Sequence, residues 1–504
     1  MTIFVRGPED LDPAAIRKIA RGARVSLDES LLESVAARRQ AMLAALNGRT
    51  QPVYGVNTGM GRLAGTSLTA EEQAEHQARL LVGRAVGGPP WLSPEAVRAL
   101  FAVRLRGFLA PETAASADAA RFLVARLNDD FVPAVPATGL GSAGEILALS
   151  HAFQTVLGVG TVLENGREVQ ASKALADRGV EPYRPGPKEG VSFIQGSPLA
   201  VAQAVLLGAQ ASEAVGRQLV CTALAVDALG APRGIYRPEL AGNDQVLADV
   251  LARVRDPTDG GVRRDDVVQA PVSVRVGPQA IAYASRTLAE LEDATLRFLG
   301  APMDSPAFLA GEFVSTAGFH AAELGLRMDA VKAALMHVAE VSVQRMHRML
   351  DERFSGLPAQ LTPEPGPNAG LAPLHKRAVG ELHSMRIQIA PASLGSLDTS
   401  AGQEDVQVFA SAAAYQLHTT LVHLDVITAC ELITAYQAHT MRITTPAPGL
   451  ADTYRWIGGI VPPVVADRPL GPELERLVAA LPELTTPAPA AQSPAADPAA
   501  RPNA

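Results

Sequence analysis

Two cysteines, Cys221 and Cys430, are all that 504 residues contain, so no disulfide framework can hold the chain together. Positive charge is also short. Lys and Arg number 44 against 52 Asp and Glu, a formal net charge of −8, which gives nonspecific nucleic-acid or anionic-membrane binding no support. No uninterrupted apolar run is long enough to span a bilayer; "LAVAQAVLLGAQ" is far too short. The start "MTIFVRGPEDLD" lacks the apolar core of a secretory signal. The ten histidines have no H-E-x-x-H or similar spacing, and His418 and His423 are five apart, off a common helical face, so no metal is expected. No repeat period is visible. What remains is a hydrophobic content of 47% and a charged content of 19%, enough for a large core, with the cytoplasm as the expected location.

The apolar pattern is mostly helical. "LSPEAVRALFAVRLRGFLA" predicts a helix with Ser93 as N-cap, Pro94 at the first helical position and Glu95 in the first turn. Val97, Leu100, Phe101, Leu105, Phe108 and Leu109 recur on its buried side. "MDAVKAALMHVAEVSVQRMHRMLDERF" predicts a second long helix, with Val331, Leu335, Val338 and Met349 facing the core and Gly356 and Pro358 ending it. A third is expected to begin near Gln403, with Leu417, Leu421, Leu424 and Ile427 buried. Helices of this length pack lengthwise in a bundle. Glycine- and proline-rich loops interrupt them at "YGVNTGMGRLAG", "YRPGPKEG", "RDPTDGG" and "LTPEPGPNAG", where chemistry is often placed. From about Thr485 the chain becomes an Ala/Pro-rich tail, expected to be disordered.

The stretch "TGLGSAGEILALSHAF" contains a literal G-x-G-x-x-G at Gly139, Gly141 and Gly144, with Glu164 twenty residues beyond the last glycine. A dinucleotide-binding turn needs a buried parallel strand before the glycines. "FVPAVPAT" is unfit for that role, because Pro133 and Pro136 would each remove a ladder donor. "VLENGRE" predicts a turn at Asn165-Gly166, which takes Glu164 out of the ribose-binding role. No nucleotide is expected.

"VYGVNTGMG" at 53–61 resembles the tyrosine loop of the aromatic amino acid ammonia-lyases, the superfamily of histidine and phenylalanine ammonia-lyases. "PKEGVSFIQGS" is similar to that family's Lys-Glu-Gly segment, and "VQAPVSVRVGPQ" to part of its Tyr-Ser-x-Arg-x-x-Pro-Gln segment. "SGLPAQLT" and "APASLGSLDTSAGQEDVQV" resemble the segments that close the active site. The likeness runs nearly to the Ala/Pro tail. It implies a mainly α fold, a long-helix bundle of the ammonia-lyase (fumarase/aspartase-like) type. By the same resemblance residues 1–484 are expected to form the catalytic domain, with a smaller loop-rich N-terminal lobe over about 1–200 and a central bundle over about 201–484, followed by the tail at 485–504. It also implies a homotetramer whose active sites are each built from three subunits, acting on a small-molecule substrate.

In the family an Ala-Ser-Gly triad cyclises and loses water to give methylidene-imidazolone (MIO), an electrophile that takes the substrate amine. Here the triad is Ser142-Ala143-Gly144, and the middle residue, which must supply the eliminated hydroxyl, has none. The resemblance therefore carries an expectation of its own: no MIO. Other departures are Glu145 for the family aspartate, Gln195 for asparagine, Val272 for tyrosine, and Gly83-Arg84 at the selectivity position. Tyr54, Asn57, Gly59, Arg275, Phe319, Gln403 and Glu404 match family positions.

Each candidate has a plain reading beside its functional one. Tyr54 is either a packing tyrosine capping a turn or, as the family motif implies, a base or proton relay. Arg275 is either a structural ion-pair partner or a bidentate clamp for a substrate carboxylate. Glu404 either complements a helix dipole or binds a polar substrate group and moves a proton. Arg84 either pairs with Glu404 or recognises an anionic or carbonyl group. Ser142 has no Ser-His-Asp spacing to make it a nucleophile. Asn57, Gln195, Val272, Phe319 and Gln403 are expected to line the substrate site.

MIO turns a poor amine leaving group into a good one, and a side chain does not easily replace it. Without it, the expected activity is a lyase eliminating a leaving group that is already good, by β-proton abstraction from a carboxylate-bearing, amino-acid-derived substrate. An MIO-independent member of the family cleaves the trimethylammonium of ergothioneine in this way. The alternatives are a proton-transfer isomerase, dehydratase or cyclase, which needs acid and base but no electrophile, and a non-catalytic binding protein on the same scaffold.

Overall fold

The computed structural model describes residues 1–442 and 445–484, so the expectation for the tail at 485–504 lies outside the described residues. The chain is mostly helical, as expected. Its longest helices are Pro198–Ala228, Gly277–Gly300, Ala322–Leu350 and Ala410–Met441, of 31, 24, 29 and 32 residues. The sheets are minor. Thr2–Val5 pairs parallel with Arg24–Leu27, Thr161–Glu164 antiparallel with Arg167–Gln170, and Ala307–Leu309 antiparallel with Glu312–Val314.

Two compact units make up the chain. The first comprises Met1–Gln210, Ala289–Val331 and Ala390–His418; the second comprises Ala211–Leu288, Lys332–Ile389 and Thr419–Ala504.

In the first unit the predicted helix spans Pro94–Leu109, and the Ser93 side chain accepts the Ala96 amide as its cap. All six residues of its predicted apolar stripe are buried. Phe101 stacks on Phe153, with ring centroids 5.2 Å apart, while Phe193 packs against both Phe153 and Phe108, at 5.0 and 4.9 Å. This phenylalanine cluster puts bulk next to the triad helix, Ile146–Phe153.

The segment 132–137 is extended but is not the strand of a nucleotide fold. The Val132 carbonyl and Ala134 amide bond one side, to Leu163 and Thr161, and the Val135 carbonyl and Ala137 amide bond the other, to Leu92 and Pro90. Asn165 and Gly166 form the two-residue hairpin turn expected of them, with φ of 50° and 74°.

One helix start differs from expectation. The helix expected near Gln403 begins at Ala410. The intervening residues are committed elsewhere: Thr399 bridges Glu404, and Val408 bridges Ser142. Glu404 therefore sits in a loop, not at a helix terminus.

In the second unit the core is polar as well as apolar. Arg345 donates to Glu431 through Nε and Nη2, at 2.7 and 2.9 Å, and Ser342 donates to the same carboxylate. Both charged side chains are essentially without solvent exposure. A pair so buried holds only when its hydrogen bonds are complete. Leu424, Ile427, Leu335 and Val338 are buried as their spacing predicted. The long helix expected to end at Gly356 stops instead at Leu350, Asp351 caps a separate Glu352–Ser355 turn, and Gly356 ends that turn in the left-handed conformation, φ 64°.

Although it holds no long uninterrupted apolar run, the stretch Glu189–Ala228 does meet the length and mean hydropathy of a membrane-crossing helix. Its most apolar window is 89% buried within the protein. Cys221 and Cys430 are both buried and free.

Candidate active site

The Lys-Glu-Gly segment is a structural knot. Lys188, in the left-handed conformation at φ 69°, donates from Nζ to Asp304 Oδ2 at 2.6 Å, to the Thr113 carbonyl and to Ser192 Oγ. Glu189 accepts from the Gly186 and Ser116 amides and from the Tyr183 hydroxyl. Gly190 lies directly against the backbone of Gln77; a Cβ there would sit 2.1 Å from the Gln77 carbonyl oxygen. Gln77 in turn donates to the Gly55 carbonyl at 3.0 Å, so the knot holds the tyrosine loop in place.

Within that loop Asn57 acts on the backbone. Its Oδ1 accepts the Val53 amide at 2.6 Å and its Nδ2 donates to the Gln51 carbonyl at 3.0 Å. The expected substrate-site residue thus shapes the turn that carries Tyr54. The Tyr54 hydroxyl accepts the Gly61 amide at 2.8 Å. Gly61 faces Ser400, and Ser400 donates from Oγ to Glu404 Oε1 at 3.0 Å. The Glu404 loop turns through three left-handed residues, Ser400, Ala401 and Gly402, two of which are not glycine. Such backbone costs of order 1–3 kcal/mol per non-glycine residue and persists where the surroundings impose it.

Glu404 reaches the triad: its Oε2 accepts the Ala143 amide at 3.4 Å. The carbonyl of Ser142 is occupied by the Val408 amide at 3.1 Å, and Ser142 Oγ donates to the Gly144 carbonyl at 2.5 Å. Phe319 covers Gly144, with its carbonyl oxygen and ring 3.4 and 3.5 Å from the position of a Cβ. A narrow cavity of about 10 Å³ adjoins Ser142, Gly144, Glu145 and Val408.

Glu145 closes the triad on its far side. Its two carboxylate oxygens accept the Leu199 and Ala200 amides, both at 2.7 Å, at the start of the Pro198–Ala228 helix. Burial raises its pKa to about 7 despite those two amides and the nearby Arg104, all of which favour the charged form. Arg104 donates to the carbonyls of Ser192 and Gln195, so Gln195 is positioned through its backbone. Burial lowers Arg104 to about 10, which leaves it charged at neutral pH.

Burial lowers the pKa of Arg84, and its electrostatic interactions with Tyr54 and then Glu404 partly offset that lowering. Among the described residues its guanidinium has no hydrogen-bond or ion-pair partner. His76 joins this group: its Nε2 is buried without a partner, and burial, then the charges of Arg84 and Arg79, hold its pKa below the usual histidine range. His76, Ser400 and Arg104 were not singled out from sequence; Ser400 lies within the 390–408 motif and His76 on the 70–82 helix just before Arg84, while Arg104 lies in no such motif.

The first unit thus brings Tyr54, Arg84, Glu404, Ser142, Ala143, Gly144 and Phe319 to one place. Gln403 is exposed there. Val272 and Arg275 belong to the second unit, in a short turn at Val272–Arg275. Val272 is 59% exposed, and Arg275 has a buried Nε without a partner. Among the described residues no group of three or more His, Cys, Asp or Glu could hold a metal ion.

The model for aromatic amino acid lyases matches residues 11–458. Histidine ammonia-lyase of Deinococcus radiodurans is 29% identical over 474 residues, covering 92% of this chain and 90% of that one. Among solved structures, tyrosine aminomutase from Streptomyces globisporus superposes with a TM-score of 0.88 at 25% identity, covering 94% and 95% of the two chains. The ergothioneine-degrading ergothionase of Treponema denticola gives 0.89 at 21% identity, covering 96% and 99%, a likeness of fold. A match over this much of the length, on a fold of the same kind, means that the chain belongs to the aromatic amino acid lyase family.

Proposed function

We propose that this protein is an MIO-independent lyase. It eliminates a good leaving group, such as a tertiary amine, from a carboxylate-bearing, amino-acid-derived substrate. The observation that carries the reading is the triad. Ala143 offers a methyl group where the prosthetic group needs a hydroxyl, and its amide is bonded to Glu404. The Ser142 carbonyl oxygen accepts the Val408 amide, a contact that leaves its carbon open to attack, so the reading rests on the missing hydroxyl alone. These residues do not fit an MIO, and no step is assigned to one. No metal or nucleotide enters the reaction either.

In this reading a base removes the β-proton, the C–H electron pair becomes the new C=C bond, and the C–N pair departs with the amine. Tyr54 is the base; its oxygen has the Gly61 amide as a fixed donor in either protonation state. Glu404 anchors a polar or cationic part of the substrate, and a quaternary ammonium beside its carboxylate suits that role. Arg275 supplies the carboxylate clamp. Arg84, free of ion pairs, is available to a second anionic or carbonyl group. Phe319 covers the triad, Asn57 holds the turn that carries Tyr54, and Arg104 holds the Gln195 backbone, while Gln403 and Val272 are proposed to line the substrate site. The active form is a cytoplasmic homotetramer with shared active sites, serving specialised metabolism.

The test is an assay of betaine-type amino acids for unsaturated acid and released tertiary amine. Product from a trimethylated amino acid, with little from the parent amine, supports the reading. Histidine or phenylalanine deamination at ordinary ammonia-lyase rates overturns it. Isomer formation from an unsaturated acid, with no product from betaines, transfers the assignment to proton-transfer chemistry, for which Tyr54 and Glu404 are the candidate base and acid.

A further inference from the structure

The first unit has a second cavity, of about 230 Å³ and partly open to solvent. One water needs roughly 10–15 Å³ by the same measure. Val103, Pro111, Leu299 and Met303 give it apolar walls, and four charged residues also line it: Arg104, Arg106, Glu112 and Asp304. The lining thus carries two charges of each sign, with Lys188 paired to Asp304 Oδ2 behind it. Two of these side chains are almost fully buried, Arg104 at 3% and Asp304 at 2% exposure, and each carries an unsatisfied atom. The Nε–H of Arg104 has no acceptor, and Oδ1 of Asp304 has no donor. Their other polar atoms are engaged: Arg104 with the Ser192 and Gln195 carbonyls, and Asp304 Oδ2 with Lys188 and Ser192. Buried orphans of this kind are rare because each costs the desolvation of its group.

Packing does not explain the empty space. Gly107 lies inside the 94–109 helix, where glycine is unfavourable relative to alanine. A Cβ at Gly107 would meet nothing within 4 Å, and the same holds at Gly300, which also lines the cavity. Both glycines leave room that a side chain could occupy.

We propose that this cavity is a binding site for a small zwitterion of the α-amino acid class. Its carboxylate is held on the Arg104–Arg106 side of the cavity and its ammonium on the Asp304–Glu112 side, and the buried Arg104 Nε and Asp304 Oδ1 are reached as either side chain turns toward the cavity. The site is separate from the triad but coupled to it. Arg104 holds the Gln195 carbonyl, and Pro198, which lines the cavity, precedes the Leu199 and Ala200 amides that hold Glu145. The inference does not depend on the elimination chemistry above.

The experiment is a titration of the full-length protein with ¹³C-labelled L-alanine, followed by NMR and calorimetry. The wild type is expected to bind saturably. Gly107→Leu, which fills the cavity and leaves its polar groups in place, is expected to bind at least about tenfold more weakly with an unchanged or raised Tm. Gly107→Ala adds one methyl, favours the helix, and serves as the folding control with a smaller loss. Acetate and methylammonium, each carrying half the charge pattern, are expected to bind about tenfold more weakly than alanine. Absence of saturable binding to the wild type overturns the proposal. So does equal binding by wild type and Gly107→Leu, which would place alanine in the triad site. Half-probes as tight as alanine overturn the zwitterion class.

Discussion

The amide nitrogen of Ala143 donates to Oε2 of Glu404 across 3.4 Å, joining the centre of the triad to a carboxylate 261 residues away in sequence. Ser400 and Thr399 donate to the same carboxylate, at 3.0 and 3.4 Å. Glu404 is therefore oriented by three donors at a point where the family's prosthetic group would stand.

The intact mass of the purified protein should equal the mass of its sequence. A deficit of two waters, mapped by peptide analysis to residues 142–144, would show that an MIO had formed and would return the protein to conventional deamination.

Tyr54→Phe should lower kcat by about 10²–10⁴-fold, the usual contribution of a positioned base. The fold should barely notice, since the hydroxyl accepts one amide and a typical hydrogen bond is worth about 1 kcal/mol. Steady-state kinetics together with a thermal melt check both halves; a large fall in Tm would make Tyr54 a structural residue.

Glu404→Gln keeps an acceptor for Ala143 while removing the charge. Its KM for a cationic substrate should rise by about tenfold or more, and a neutral analogue should be affected less. Equal effects on both would remove the electrostatic role.

Glu145 makes stability depend on pH in a definite direction. Its folded pKa, about 7, lies above the ordinary 4.5, so the folded state retains a proton that the unfolded state has lost between those values. Its contribution is therefore fully present below about 4.5 and lost as pH rises to about 7. Denaturant melts of wild type and Glu145→Gln across that window should show the wild type losing ground to the variant as pH increases. A difference independent of pH would refute this.

Gly190→Ala should cost about 1–3 kcal/mol, because a Cβ would overlap the Gln77 backbone, which has no flexible end to move aside. Chemical denaturation measures the loss. Activity should fall as well, since Gln77 also supports the tyrosine loop through Gly55.

Much of the helical layout was legible because helix signals are local. The Ser93 cap, the stripe from Val97 to Leu109 and the Asn165-Gly166 turn each depend on residues within a few positions of one another. The start of the Ala410–Met441 helix was misplaced because residues 399–408 satisfy their backbone in bridges, one of them to Ser142, and a distant partner leaves no periodic trace. The motifs located Tyr54, Glu404 and the triad but gave little of their supports. Asn57 looks like a ligand-binding residue as a letter, but in the fold it spends its hydrogen bonds on the backbone of its own loop, as Lys188 spends its own on its surroundings. Arg104 was invisible as a support because an arginine inside an apolar stripe carries no mark of the carbonyls it will meet.

Glu145 has a consequence for dynamics. Because it caps Leu199 and Ala200, loosening the opening turn of a 31-residue helix and displacing the triad become a single event. Deuterium uptake at those two amides would then act as a remote gauge of order beside Ala143, readable before any substrate is known.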